Sequence, residues 1–138
     1  MSRSDRQVCK DYRGFTLVEL MIVMAVLVIL ILITYPAYTE QIRKARRAES
    51  QAMLLDAAQE MERYFTVNGT YVDAPDPADT DYYQIAITNA TATAFTVQAT
   101  PLANGGQSAD RCGKLTYNSL GVKGIKDAAT GITVNNCW

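Results

Sequence analysis

The feature that most constrains this chain is a run of fourteen consecutive apolar residues from Leu20 to Ile33. Counted from Phe15, the hydrophobic segment is nineteen residues long, and no charged residue lies between Glu19 and Glu40. An α-helix rises about 1.5 Å per residue, so such a segment is long enough to cross the roughly 30 Å hydrocarbon core of a bilayer. The sequence therefore predicts a membrane-spanning helix near the N-terminus.

The residues before this segment, MSRSDRQVCKDYRG, form a short basic leader. A basic leader and an apolar run could together be a secretory signal peptide, which ends in small residues at positions −1 and −3. Cleavage after Ala37 would place Tyr35 at −3, and no good small-x-small site follows the run. We therefore expect the apolar segment to stay attached to the chain.

Four basic residues follow the span and match the four in the leader, so charge alone gives no orientation in the membrane. They are Arg43, Lys44, Arg46 and Arg47. On a helix they would cover nearly half of the circumference, and we expect them to contact anionic headgroups or acidic groups of neighbouring chains. Nucleic-acid binding is the alternative, but no interleaved aromatic residues support it.

The helical pattern continues beyond Pro36 in a segment rich in Ala, Glu, Gln, Arg and Leu, all good helix formers. An apolar stripe follows helical spacing at Leu54, Ala58, Met61 and Phe65. We predict one helix from about residue 15 to residue 65, apolar in its first half and amphipathic in its second. The Asn68-Gly69 pair is expected to end it, and Pro36 to kink or locally loosen it.

After the helix, alternating apolar and polar residues predict short strands at 83–88, 95–100 and 115–117, with 132–134 as a candidate fourth. The predicted fold is α+β, a long N-terminal helix packed on a small antiparallel sheet. An intervening loop carries four aspartates that could in principle hold calcium: Asp73, Asp76, Asp79 and Asp81. Their spacing does not match an EF-hand loop, so we expect a solvated loop and no metal site.

Three cysteines divide between the two ends of the chain, with Cys9 in the leader and Cys112 and Cys137 in the distal domain. If the domain is exported, those two can pair where disulfides persist, although two buried free thiols remain the alternative. Catalysis has little support. The chain has no histidine, and it shows no phosphate-binding loop, nucleophile elbow or CxxC pair. We expect neither enzymatic activity nor a cofactor.

The stretches GFTLVEL, CGKLTYNSLGVKG and NNCW together resemble the type IV pilin family, most nearly the minor pilins of the PilE type. The resemblance implies a type IV pilin fold and a leader, residues 1–14, that prepilin peptidase removes after Gly14. The same enzyme would then methylate the new amino terminus at Phe15. It also implies a transmembrane and filament-core helix at 15–36, and a periplasmic domain at 37–138. In that domain the resemblance implies a C-terminal disulfide between Cys112 and Cys137.

Glu19 is the assembly residue that the resemblance implies, and its position has a physical rationale. A carboxylate in the hydrocarbon costs about 2.5–3.5 kcal/mol on insertion scales, so intramembrane acids default to a functional interpretation. Cleavage would create a positive amine on Phe15, which the Glu19 of a neighbouring subunit could neutralise in a filament core. The alternative is a glutamate that merely reaches the headgroups.

The resemblance implies a minor pilin, stored in the inner membrane and then incorporated into a pilus or its priming complex, with roles in pilus assembly, twitching motility or adhesion. Its expected partners are major and minor pilins, prepilin peptidase and the membrane. One rival is a pseudopilin of a type II secretion system, and another is a bitopic protein that never polymerises. A third is an adhesin or DNA-uptake pilin, which a basic or aromatic patch on the distal domain would favour. The sequence itself argues against a nucleic-acid partner, since the mature chain has a net charge of −3.

Processing is testable because Gly14 directly precedes Phe15. Loss of residues 1–14 from the 138-residue chain leaves a 124-residue protein with a methylated Phe15 at its amino terminus. Intact-mass analysis of protein extracted from membranes should find this species. A chain that keeps residues 1–14 in cells with active prepilin peptidase would refute the assignment.

Overall fold

The computed structural model describes residues 14–138, which form two compact units, residues 14–38 and residues 39–138. Most of the predicted leader, with Cys9 and its basic residues, lies outside the described residues.

One helix, α1, runs from Leu17 to Asn68 over 52 residues and continues through Pro36. Its start is capped by Thr16, whose Oγ1 accepts a hydrogen bond from the Glu19 backbone N–H at 3.2 Å. It ends at Gly69, where φ is +71° and the N–H donates to the carbonyl of Phe65 at 2.8 Å. Glycine adopts this left-handed conformation without steric cost, so the predicted termination is confirmed.

In the first unit, the apolar side chains of α1 are exposed along their whole length. A helix that is hydrophobic all round belongs in a protein core or in a membrane, and this one is not covered by its own chain. An 18-residue window within α1 reaches a mean hydropathy of 3.1, and none of it is buried within the chain. By length and composition, this segment can cross a membrane.

The second unit contains a four-stranded antiparallel sheet in the order β1-β2-β3-β4. Its strands are β1 (Tyr83–Ala90), β2 (Phe95–Pro101), β3 (Lys114–Asn118) and β4 (Lys123–Lys126). The α+β prediction of a long helix with a small antiparallel sheet is confirmed. Three of the predicted strands lie within β1, β2 and β3.

The core of this unit lies between the distal half of α1 and the sheet. The helix contributes the predicted apolar stripe, buried at Leu54, Ala58 and Met61. The sheet contributes residues of β1, β2 and β3, which are Tyr83, Ile85, Phe95, Val97, Ala99 and Leu115. Because strand side chains alternate between faces, one face of the sheet is buried against the helix while the other stays partly solvated.

The predicted fourth strand at 132–134 is wrong. The fourth strand is β4, and a short helix, α2, occupies Val134–Cys137. Thr133 precedes α2 and pairs with Asn136, whose Oδ1 accepts from the Thr133 backbone N–H at 3.0 Å and from its hydroxyl at 2.7 Å. This local capping satisfies the backbone of the first turn and favours a helix over an extended segment.

The structure joins Cys112 to Cys137, as the resemblance implied, across 25 positions of sequence. Both half-cystines are buried, with Cys112 just before β3 and Cys137 at the end of α2. The bond ties the C-terminus to the sheet, in which α2 packs mainly against β4. Trp138 Nε1 also donates to the Gly124 carbonyl at 3.1 Å, so the disulfide is one of the links that hold the C-terminal segment.

We predict that Cys112→Ser or Cys137→Ser lowers the free energy of unfolding of the domain by about 2–5 kcal/mol, because the unfolded chain regains loop entropy. The fluorescence of Trp138, the single tryptophan, reports denaturant unfolding of the processed chain. Recovery of Cys112 and Cys137 as free thiols from the exported protein would contradict the bond itself.

Candidate functional site

The predicted processing and assembly residues lie at the beginning of the first unit. Gly14 and Phe15 precede α1, and the Phe15 side chain is 83% exposed. Glu19 is in the first turn of α1 and is also exposed. A carboxylate in a first helical turn interacts favourably with the helix dipole, and the same exposed position leaves it available to a neighbouring chain. The roles of these residues stay predictions.

The basic cluster that follows the span is used mainly inside the second unit. Arg47 forms a buried bidentate ion pair with Asp110, in which Nε and Nη2 donate to the two carboxylate oxygens at 3.0 Å each. The two residues are 63 positions apart in sequence. The expectation that Arg47 contacts headgroups or neighbouring chains is therefore wrong, because its guanidinium is buried against Asp110.

Two further side chains complete this pair into a buried network. The Tyr83 hydroxyl donates to Asp110 Oδ2 at 2.9 Å, and Gln107 Nε2 lies 2.8 Å from the Tyr83 hydroxyl and 3.1 Å from Asp110 Oδ2. Asp110 Oδ1 also accepts from the Cys112 backbone N–H at 3.1 Å. The network thus connects α1, β1 and the segment that leads into the disulfide. Sequence reasoning missed Asp110 and Gln107.

The neighbouring arginines cap a short 3₁₀ segment, Asn104–Ala109. Arg43 Nε donates to the Gly106 carbonyl at 3.2 Å, and Arg46 Nη1 donates to the Gly105 carbonyl at 2.9 Å. The Arg46 guanidinium also lies 3.7 Å from the ring centroid of Tyr82, in a cation–π contact. A side chain at Gly105 would collide with this guanidinium.

Electrostatics keep the buried hydroxyls of the second unit neutral. Burial, reinforced by the Asp110 carboxylate, raises the pKa of Tyr83 far above its usual 10.0. Burial, together with a hydrogen bond to Glu62, also raises the pKa of Tyr71. On the surface, an ion pair with Lys114 lowers the pKa of Asp127. These tyrosines serve as neutral hydrogen-bond donors at physiological pH, which suits a structural role.

After α1, the basic residues of the second unit are concentrated in one region. All four basic residues after α1 lie in or just before the β3–β4 hairpin, at Arg111, Lys114, Lys123 and Lys126. We call residues 111–126 the basic hairpin. Lys123 Nζ lies 5.1 Å from the ring centroid of Trp138, and the Trp138 ring lies 6.2 Å from that of Tyr117. This is the basic and aromatic patch that the sequence analysis named as favouring a ligand-binding pilin.

Part of the acidic loop after α1 has a structural role. Asp79 Oδ1 accepts a hydrogen bond from the Ile85 backbone N–H at 2.7 Å, which covers the outer edge of β1. Asp73 adopts a left-handed conformation with φ of +62°. Within residues 14–138, no group of three or more His, Cys, Asp or Glu side chains is arranged to hold a metal ion.

Two family models match the chain. One is described as type IV minor pilin ComP, DNA uptake sequence receptor, and matches residues 36–116. The other is the prokaryotic N-terminal methylation motif, which matches residues 9–35 and so includes Gly14, Phe15 and Glu19. Curated protein sequences gave no match.

Solved structures of type IV pilins share the fold. The non-core minor pilin PilV of Neisseria meningitidis is 25% identical with a TM-score of 0.59, over 69% of this chain and 95% of that one. A type IV pilin from Shewanella oneidensis is 30% identical with a TM-score of 0.52, over 70% of this chain and 97% of that one.

We predict that Asp110→Asn lowers the free energy of unfolding by about 3–5 kcal/mol, because it leaves the Arg47 guanidinium buried without a counter-charge. The exposed pair of Arg63 with Glu60 supplies the matched control, and Arg63→Met should change stability by less than about 1 kcal/mol. Denaturant unfolding monitored by Trp138 fluorescence measures both. Equal effects of Asp110→Asn and Arg63→Met would show that the buried network contributes no more than a surface pair.

Proposed function

Because this chain belongs to the type IV minor pilin family, we propose that it is a minor subunit of a type IV pilus. In this proposal the prepilin waits in the inner membrane, is cleaved after Gly14 and then enters the pilus or its priming complex. The observation that carries the proposal is the exposed apolar stretch of α1, which lies within the segment that matches the N-terminal methylation motif. We propose a structural role without enzymatic activity.

Each step of this route follows from the chemistry of the N-terminal segment. The leader and the first turn of α1 would present Gly14 and Phe15 to prepilin peptidase on the cytoplasmic side. Once the leader is removed, Phe15 carries a positive amine next to an apolar helix. In a water-poor filament core, the Glu19 of an adjacent subunit would neutralise that amine, since an unpaired charge there is costly.

The disulfide of the second unit supports the proposal that this unit is exposed on the outside of the cell. Its core is closed by the Cys112–Cys137 disulfide, a bond that persists in oxidising compartments. The same bond favours a pilus subunit over the rival pseudopilin, since pseudopilins commonly lack it and use calcium instead. The α1 side chains that form part of the domain core are buried within the domain, whereas the apolar side chains before residue 34 are exposed.

We predict that Glu19→Ala is inserted and cleaved normally but enters pili poorly. The substitution removes the polar cost from the span and leaves Gly14 and its neighbours in place, yet it removes the partner of the Phe15 amine. The measurement is the amount of tagged protein in sheared pili relative to that in the inner membrane.

Glu19→Gln is the matched variant, because it keeps the shape and hydrogen bonding of the side chain without its charge. It should fall between wild type and Glu19→Ala. If cleaved Glu19→Ala enters pili at the wild-type ratio, Glu19 acts only as a residue that reaches the headgroups.

Binding of DNA is a second candidate function, favoured by the basic hairpin and by the description of the matching family as a DNA uptake sequence receptor. Lys123 and Lys126 are exposed, and Trp138 beside Lys123 supplies an aromatic surface. Lysines of this kind contact phosphates, and the affinity they provide falls steeply with salt. The basic hairpin therefore favours a nucleic-acid partner, against which the net charge of the sequence had argued.

For this candidate we predict that Lys123→Ala/Lys126→Ala weakens binding of duplex DNA by the processed chain and reduces the salt slope of the binding constant by about 2. Lys44→Ala, which removes an exposed charge from α1, is the control and should leave both quantities near wild type. Fluorescence anisotropy across a salt series measures them. An unchanged slope in the double variant would exclude the hairpin as the DNA site.

A further inference from the structure

The turn that joins β3 to β4 presents two apolar side chains to solvent. Leu120 is 84% exposed and Val122 is 56% exposed. We call these two residues the apolar tip. A single exposed apolar residue is common on protein surfaces, but these two share one short turn. Side chains this exposed add little to the core of the domain, so the fold itself does not require them to be apolar.

The backbone of this turn is held by hydrogen bonds that do not involve the side chains of the apolar tip. Asn118 Oδ1 accepts from the Leu120 and Val122 backbone N–H groups at 3.0 and 2.9 Å. Gly121, at φ of +75°, donates to the Asn118 carbonyl at 2.9 Å. The turn is therefore shaped by Asn118 and Gly121, and a turn fixed in this way loses little conformational freedom when it binds.

The surface around the apolar tip is mainly basic. The basic hairpin contains four basic residues and no aspartate or glutamate. Lys114 is paired with Asp127, with its Nζ 2.6 Å from Oδ2, whereas Lys123 and Lys126 are exposed on β4. On the side of α1, Glu62 lies across a shallow depression from the turn. The apolar tip thus adjoins exposed cations that can bind an anionic partner.

The two exposed lysines leave the hairpin on opposite faces. Side chains alternate along a strand, and Lys123 and Lys126 are three positions apart. In the pairing of β3 with β4, Lys123 lies opposite Tyr117 and Lys126 lies opposite Lys114. A cation on each face suits a ligand that carries negative charge on both sides of the tip. The phosphates of the two strands that border a groove of duplex DNA have this arrangement.

We propose that the apolar tip inserts between neighbouring base pairs of duplex DNA. The inference rests on the DNA candidate of the proposed function, and it adds a contact that the lysines cannot make. Apolar side chains such as leucine enter between base steps from the minor groove, partly unstack them and bend the duplex. Unstacking costs least at flexible pyrimidine–purine steps, so the tip favours such steps without a hydrogen bond to any base.

A lipid surface is the weaker fit to the same chemistry. It also offers negative charge and an apolar interior, but a single myristoyl chain already gives only marginal binding to a bilayer. The side chains of Leu120 and Val122 together bury less apolar surface than such a chain. Base pairs, in contrast, open a gap of the size of one side chain.

The test uses the processed chain in detergent and a duplex of about 20 base pairs with 2-aminopurine in place of adenine at a central thymine–adenine step. The fluorescence of this base rises when it unstacks. The wild-type chain should raise it about twofold, and Leu120→Ser should abolish the rise and weaken binding about tenfold. The salt slope of the binding constant should keep its wild-type value, because an apolar contact releases no counterions.

Two further variants separate insertion from folding. Leu120→Met keeps an apolar side chain and should retain both the fluorescence rise and the affinity. Val67→Ser is the matched control, because Val67 is 80% exposed near the end of α1, outside the hairpin, and it should behave as wild type. Denaturant unfolding monitored by Trp138 fluorescence should give the same stability for all of these chains.

The outcomes separate this inference from the function on which it rests. Wild-type affinity and unstacking by Leu120→Ser would overturn the insertion and leave the lysines as the DNA site. Failure of the wild-type chain to bind the duplex at low salt would reject the DNA candidate and the insertion together. If Leu120→Ser abolishes binding to vesicles of anionic lipid but leaves the 2-aminopurine signal unchanged, the tip belongs to a lipid surface and the proposal is wrong.

Discussion

The apolar segment at the start of α1 imposes the constraint on which the rest of the structure depends. Burial of one large apolar side chain contributes about 1.5–3 kcal/mol, so the thirteen such residues between Leu20 and Ile33 represent on the order of 20–40 kcal/mol. That exceeds the whole stability of a typical domain, about 5–15 kcal/mol, and these side chains are exposed in the chain taken alone. They need a non-aqueous environment, which in the proposed function a bilayer provides before assembly and neighbouring helices provide afterwards.

The second unit meets a different requirement, because it must fold with only the distal part of α1. It does so with a compact core and with the buried pair of Arg47 and Asp110, whose network also holds Tyr83 and Gln107. A buried charge pair adds little net stability compared with apolar packing, but removal of one partner is costly. The network therefore fixes which segment packs on α1 at this level, and it directs Arg47 into the interior of the domain.

Most of the fold could be predicted from the sequence because its signals are local. Each signal predicts the structure of its own segment. These signals are the apolar run, the stripe at Leu54, Ala58 and Met61, and the glycine after Asn68. The fourth strand could not be predicted because β4 is an edge strand in which Lys123 and Lys126 flank two partly buried residues, so the alternation is weak. The pairing of Arg47 with Asp110 joins residues 63 positions apart and leaves no local trace. The proposed processing and assembly residues, Gly14, Phe15 and Glu19, could be predicted because they form a short local motif.

The most direct test of this account asks what covers the apolar helix before and after assembly. A benzophenone photocrosslinker in place of Leu27 samples the middle of the segment. Irradiation of membranes should give lipid adducts, whereas irradiation of sheared pili should give protein adducts whose partner is a pilin cross-linked through its own N-terminal helix. Lipid adducts alone in every fraction, or absence of the labelled protein from pili, would contradict the claim that this helix moves from the bilayer into a filament core.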